Sequence, residues 1–203
     1  MSRDEVRGLA REVKSQVLIL GGFVALMWGL EIVDIFLGGT GRTCRGLNQF
    51  GIFPRQLAGL WGIFFAPFLH GGFGHLIANT IPFVTLGWLV MLRRTADFFV
   101  VTLVAMVVGG LGTWLFGAPG CHIGASGIIF GYLGYLLGRG YFDRSFGSML
   151  FSVVVLLMYG GLLWGVLPIR VGISWEGHLF GFIGGVVAAW LLSSGSKKRV
   201  YRE

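Results

Sequence analysis

His122-Ile123-Gly124-Ala125-Ser126-Gly127, running into Ile128-Ile129-Phe130-Gly131, is the stretch on which the reading of this chain turns. A serine flanked by small residues stands where a loop gives way to an apolar, glycine-spaced helix. Fifty residues on, Trp175-Glu176-Gly177-His178 opens a second run of the same kind, with Gly181 and Gly185 at helical spacing. Fourth-residue glycines let two helix backbones approach closely, so a serine heading one helix and a histidine heading the other can meet.

The surrounding sequence says where they would meet. The 203 residues are 55% hydrophobic and 12% charged, with a mean hydropathy of +0.78. Soluble domains carry about twice that charge. Several segments approach the roughly 20 apolar residues that a bilayer core requires. The 36 glycines suit close helix packing in lipid. The fold class expected is all-α, a polytopic membrane bundle of six transmembrane helices. Residues 16–195 form one domain, between a mixed-charge arm at 1–15 and a basic tail at 196–203. No stretch interleaves basic and aromatic residues on a polar face, so no nucleic-acid partner is expected. The arm is too long and too acidic for a signal sequence, and the first span is expected to stay in the protein.

The spans read as 16–37, 71–92, 98–116, 126–137, 149–166 and 177–193. The fourth is short. Residues 38–63 are too polar to span and too aromatic for a solvated linker, which places them at the membrane interface. Glu31 and Asp34 share one face near the outer end of the first span. A catalytic pair is one reading. The plainer one is an interfacial anchor paired with Arg42, Arg45 or Arg55. Arg3, Arg7, Arg11, Lys14, Arg93, Arg94, Arg139, Arg144, Lys197, Lys198, Arg199 and Arg202 fall on one side, twelve of the sixteen Lys and Arg residues. By the positive-inside rule that side, with both termini, is cytoplasmic. The membrane expected is the plasma (inner) membrane. His70, His75, Asn79, Ser126 and His178 then all lie near the outer face. Cys44 and Cys121 lie there too, where a disulfide is permitted, although two cysteines are weak evidence for one.

Serine becomes a nucleophile when a base takes its proton, and histidine is the usual base. Acyl transfer also needs donors aimed at the developing oxyanion. The backbone N–H groups heading the fourth helix are candidates, as are His75 and Asn79, which are four apart on one helix face. Taken singly, Ser126 reads equally well as a packing residue and His178 as a structural histidine. Together with His75 and Asn79, on one side of the membrane, they read as a site. No acid is placed to orient His178: Asp143 is on the other side, and Glu176 would point elsewhere. The expectation is a dyad, without metal or cofactor.

These residues resemble the rhomboid family of intramembrane serine proteases. Gly124-Ala125-Ser126-Gly127 matches its GxSG motif. His178 with Gly181 and Gly185 matches its last core helix, and His70 with His75 and Asn79 matches its second. The resemblance covers about residues 16–195. It implies Ser126 as nucleophile and His178 as general base. It implies an oxyanion hole of His75, Asn79 and the Ser126 N–H, with His70, Phe130, Gly124 and Gly127 lining the site. Phe130 stands where members often have tyrosine against the histidine. The family's Trp-Arg pair in the first loop is not evident. The implied partners are single-span membrane proteins, cut in or near their spans, and the lipid bilayer itself.

Two other classes compete. In a metal hydrolase, His70, His75, His122, His178 and Cys121 would converge on zinc, but no His-Glu-x-x-His is present. A rhomboid-like binder would hold membrane clients without cutting them, and loss of the serine or histidine would mark it. A transporter would show matched, broken halves, and none is seen.

Overall fold

The first helix is started by a local cap. Ser2 accepts the Glu5 N–H while the Glu5 carboxylate takes the Ser2 N–H, a reciprocal cap. From it, α1 runs unbroken over Arg3–Phe36. The arm and the first span are therefore one rod. The computed structural model describes residues 2–39, 44–169 and 172–200, with side chains described as far as 193. The basic side chains of the tail, and Arg42 as a partner for Glu31 or Asp34, lie outside the described residues.

After α1, 3-10 turns at Gly46–Phe50 and Leu57–Leu60, a helical turn at Gly62–Phe65 and a 3-10 turn at Ala66–Phe68 make a structured connection. The remaining long helices are α2 (Phe73–Met91), α3 (Thr95–Phe116), α4 (Ser126–Phe142), α5 (Phe146–Tyr159, extended by a 3-10 segment Gly160–Val166) and α6 (Trp175–Val200). Among the described residues five segments are long and apolar enough to cross a membrane: α1, α2, α3, α5 with its extension, and α6 as far as Ser193. α4 has 17 residues and reaches Phe142, five beyond the expected end. It is the central helix. Ile128, Ile129, Tyr132, Leu133, Tyr135 and Leu136 are all buried, packed in one core with residues such as Phe83, Val101 and Ala188.

α4 and α6 touch along their backbones. A Cβ at Gly181 would lie 2.1 Å from the Gly127 carbonyl oxygen, and one at Gly185 1.8 Å from that of Gly131. No side chain larger than hydrogen fits there. Gly181 also meets α3, its Cα lying 3.2 Å from where a Gly109 Cβ would be. By contrast α5 buries only Ser152 and Val155, and Leu157 and Met158 are exposed as a lipid-facing surface requires.

The outer connection hangs on α1. Asp34 is buried and accepts from the Leu47 N–H and from Asn48 Nδ2 at 2.9 Å. The same Asn48 nitrogen bonds the His70 carbonyl at 3.2 Å. Asp34 is thus the anchor expected, and among the described residues its partners are amides. Arg55 serves elsewhere: its guanidinium donates to the carbonyls of Leu115, in the last turn of α3, and of Gly117, just beyond it. Cys44 and Cys121 form a disulfide that closes a 77-residue separation and staples the connection to the loop before Ser126. Asp143, at the opposite end of α4, bonds Arg139 at 2.9 Å.

The seam gives a direct test. Gly185→Ala is expected to lower the thermal midpoint in detergent by several degrees, on the order of 1–3 kcal/mol for overpacking. Gly147→Ala, whose added carbon meets nothing within 4 Å, is expected to leave it unchanged. Equal midpoints for the two variants would mean that the helices are not in backbone contact.

Candidate active site

Gly124 makes the turn into α4. Its φ of +112° is one that side chains rarely tolerate, and its N–H bonds the Ala66 carbonyl at 2.8 Å. A Cβ there would also lie 2.8 Å from the His75 ring. Ala125 is buried, and α4 begins at Ser126. Its first i→i−4 bond is Ile129 N–H to the Ala125 carbonyl. The N–H groups of Ser126, Gly127 and Ile128 therefore have no intrahelical partner and carry the positive end of the helix dipole.

His178 sits in the first turn of α6. Its Nε2 is 2.8 Å from Ser126 Oγ, and its Nδ1 is 2.8 Å from the Gly165 carbonyl oxygen. A carbonyl only accepts, so Nδ1 carries the hydrogen and Nε2 turns its lone pair to the serine hydroxyl. Phe130 stacks on the imidazole, with centroids 4.1 Å apart and planes within 8°. Gly165 must be small, because a Cβ there would lie 2.8 Å from Phe130 and 3.2 Å from His178 Nδ1. Glu176 is helical and, as expected, turned away: its carboxylate accepts the Ala118 N–H at 3.1 Å.

His75 and Asn79 come to the other side of Gly124. His75 Nδ1 accepts the Gly71 N–H at 3.3 Å, which leaves the hydrogen on Nε2. That Nε2 is the atom a Gly124 side chain would strike, with Asn79 Nδ2 3.9 Å from the same point. One Asn79 amide hydrogen goes to the His75 carbonyl at 2.8 Å, and the nitrogen carries a second. His70 lies behind His75, at 5.1 Å between ring centroids, and is 1% exposed. Burial, and then the neighbouring His75, push its pKa down to about 3 against a weak opposing contact with the Phe68 backbone. It is a neutral ring in the second row.

A family model described as the rhomboid domain matches residues 57–195. The chain belongs to the rhomboid family. Among its relatives, an uncharacterized protein of Mycobacterium tuberculosis is 44% identical over 185 residues, which cover 87% of this chain and 75% of that one. Rhomboid protease GluP of Bacillus subtilis is 31% identical over 180 residues, 82% of this chain and 34% of that one. Putative rhomboid protease YdcA of the same organism is 28% identical over 142 residues, 68% of this chain and 70% of that one.

In this rhomboid the sequence-predicted residues fall into two groups. Ser126, His178, Phe130, Gly124, Gly127, His75 and Asn79 gather around the head of α4, and His70 stands one row back. Glu31 is not in that group: it is buried on α1 and faces the Gly72 amide, next to the residue whose N–H donates to His75. The five residues of the metal reading do not converge. Cys121 is in the disulfide, and His122 is engaged with Ser174 at 2.7 Å. Among the described residues, no three His, Cys, Asp or Glu side chains are grouped as metal ligands. A cavity of about 50 Å³ opens beside Ser126, lined by Ile52, Ile63, Met106 and Thr113 among others. Gly165 escaped the sequence reading, because a backbone carbonyl has no residue-type signature. His122–Ser174 escaped it too, although the spacing of 52 that it shares with Ser126–His178 was there to be seen.

Gly124→Ala is expected to displace His75 and cost about 1–3 kcal/mol from positive-φ strain, read as a lowered thermal midpoint. An unchanged midpoint would mean that the turn does not need glycine.

Proposed function

We propose that this rhomboid is an intramembrane serine endopeptidase that works through a Ser126–His178 dyad. The observation that carries the reading is the 2.8 Å contact between Ser126 Oγ and an imidazole whose tautomer the Gly165 carbonyl fixes. In this reading His178 Nε2 takes the hydroxyl proton as Ser126 Oγ attacks the scissile carbonyl carbon. The proton then passes from Nε2 to the leaving amine, and the acyl group stays on Ser126. Water, deprotonated by the same nitrogen, attacks the acyl carbon; the bond to Ser126 Oγ breaks, Oγ takes the proton back from Nε2, and the second product leaves as the carboxylic acid. The developing oxyanion faces the Ser126 N–H, His75 Nε2–H and Asn79 Nδ2–H, donors set in place before reaction. The imidazolium formed at each step keeps its Nδ1–H bond to Gly165 and the Phe130 face against it. The relatives named as rhomboid proteases support this activity.

The substrates proposed are single-span membrane proteins. Amides in a regular helix are already hydrogen-bonded, so the substrate must unwind near the cut, and helix-weakening residues there speed cleavage. We place all six helices across the plasma membrane, α4 being the short one, with both termini cytoplasmic and the dyad near the outer face.

With purified protein in detergent, Ser126→Ala and His178→Ala are each expected to abolish cleavage of a transmembrane substrate. A fluorophosphonate is expected to label wild type but not Ser126→Ala. Asn79→Ala is expected to lower kcat about 10²–10³-fold with little change in KM. Cleavage by folded Ser126→Ala would overturn the nucleophile. Loss of wild-type activity to a chelator, restored by zinc, would return the metal-hydrolase reading.

Orientation is tested separately. A cysteine introduced at Lys197 is expected to resist an impermeant thiol reagent in intact cells, and labelling there would invert the topology.

A further inference from the structure

We propose that His122 and Ser174 form a second serine–histidine hydrogen bond whose task is to position the first. The proposal rests on the Ser126–His178 reading and adds two positioning residues to it.

The register is the first argument. His122 lies four residues before Ser126, and Ser174 four before His178. The pairs His122–Ser174 and Ser126–His178 are each 52 residues apart and bonded at 2.7 and 2.8 Å. The order is reversed between them. The outer histidine is on the α4 side and the outer serine on the α6 side. The two bonds thus cross the same seam one step apart.

The protons are the second argument. His122 Nε2 is 2.8 Å from the Ala118 carbonyl oxygen, which can only accept. The hydrogen is therefore on Nε2, and Nδ1 accepts from the Ser174 hydroxyl. Both imidazoles have their tautomer set by a backbone carbonyl, and both turn a lone pair to a serine.

Each end of the outer pair is also fastened to further structure. Ser174 directly precedes α6, and its carbonyl accepts the His178 N–H at 3.2 Å. His178 therefore hangs from Ser174. His122 is held by a reciprocal backbone pair with Ile52, at 3.0 and 2.9 Å, and by the adjoining Cys121–Cys44 disulfide. Below, the glycine contacts of α4 and α6 fix how close the helices lie. Smooth backbone surfaces do not fix rotation or sliding. The outer bond supplies that constraint, with the Glu176–Ala118 contact as a parallel brace. A misplacement of about 1 Å at a reacting pair can cost roughly 100-fold in rate.

The test uses the isosteric pair Ser174→Thr and Ser174→Val, with His122→Asn and His122→Leu, in the full chain with its disulfide formed. Asn keeps an acceptor near the position of Nδ1. Ser174→Val and His122→Leu are expected to lower kcat about 10- to 100-fold at nearly constant KM, and to slow fluorophosphonate labelling of Ser126 alike. Ser174→Thr and His122→Asn are expected to recover most of that loss. The double variant Ser174→Val/His122→Leu is expected to be no worse than either single one. Wild-type kcat in Ser174→Val, with Ser126→Ala inactive, would overturn the latch and leave the dyad standing. So would losses that multiply in the double variant, or a change confined to KM, which would mark a substrate contact. Absence of cleavage and of serine labelling in the wild type would overturn the dyad and the latch together.

Discussion

Backbone contact between α4 and α6 is the constraint on which the site depends. Side chains of ordinary size hold helix axes about 8–10 Å apart, and glycine lets two backbones come nearer than that. The positions Gly127, Gly131, Gly181 and Gly185 remove that spacing. In lipid, where association draws on van der Waals contact more than on water release, such a seam also stabilises the bundle. The same residues that pack the core thus set the serine–histidine distance.

A second layer of order is polar and lies outside the seam. Asp34 and Asn48 tie the long first connection to α1, while Arg55, the disulfide and the Ile52–His122 backbone pair tie it to the end of α3 and the loop before α4. Backbone groups carry much of this network. Gly165 orients His178, Ala118 holds both His122 and Glu176, and Ala66 holds Gly124. A carbonyl near an imidazole has no ionic form, so it directs a proton without the desolvation cost that a buried carboxylate carries.

Much of this was legible in the sequence. Hydropathy placed the long helices, and glycine spacing joined Ser126 to His178. His75 and Asn79 were recovered from their shared helix face. What stayed hidden has common causes. Composition marked a border at residue 15, yet the polar arm and the apolar span are both good helix formers, and the chain gives one helix. Among the described residues the partners of Asp34 are amides, which every residue has, so charge matching did not point to them. Gly165 is invisible for the same reason. The disulfide depended on how a 77-residue excursion returns, which local pattern does not encode.

The continuity of α1 has a mechanical side. At 1.5 Å per residue its 34 residues make a rod about 50 Å long, against a hydrocarbon core of about 30 Å. The reciprocal cap at Ser2 is at one end and Asp34 near the other. Only the apolar part, from Gln16 to Phe36, has to match that core, and at about 31 Å it does, so the polar arm prolongs the same rod beyond the bilayer. The connection bonded to Asp34 is therefore joined to the amino-terminal arm through one unbroken helix, without a hinge between them.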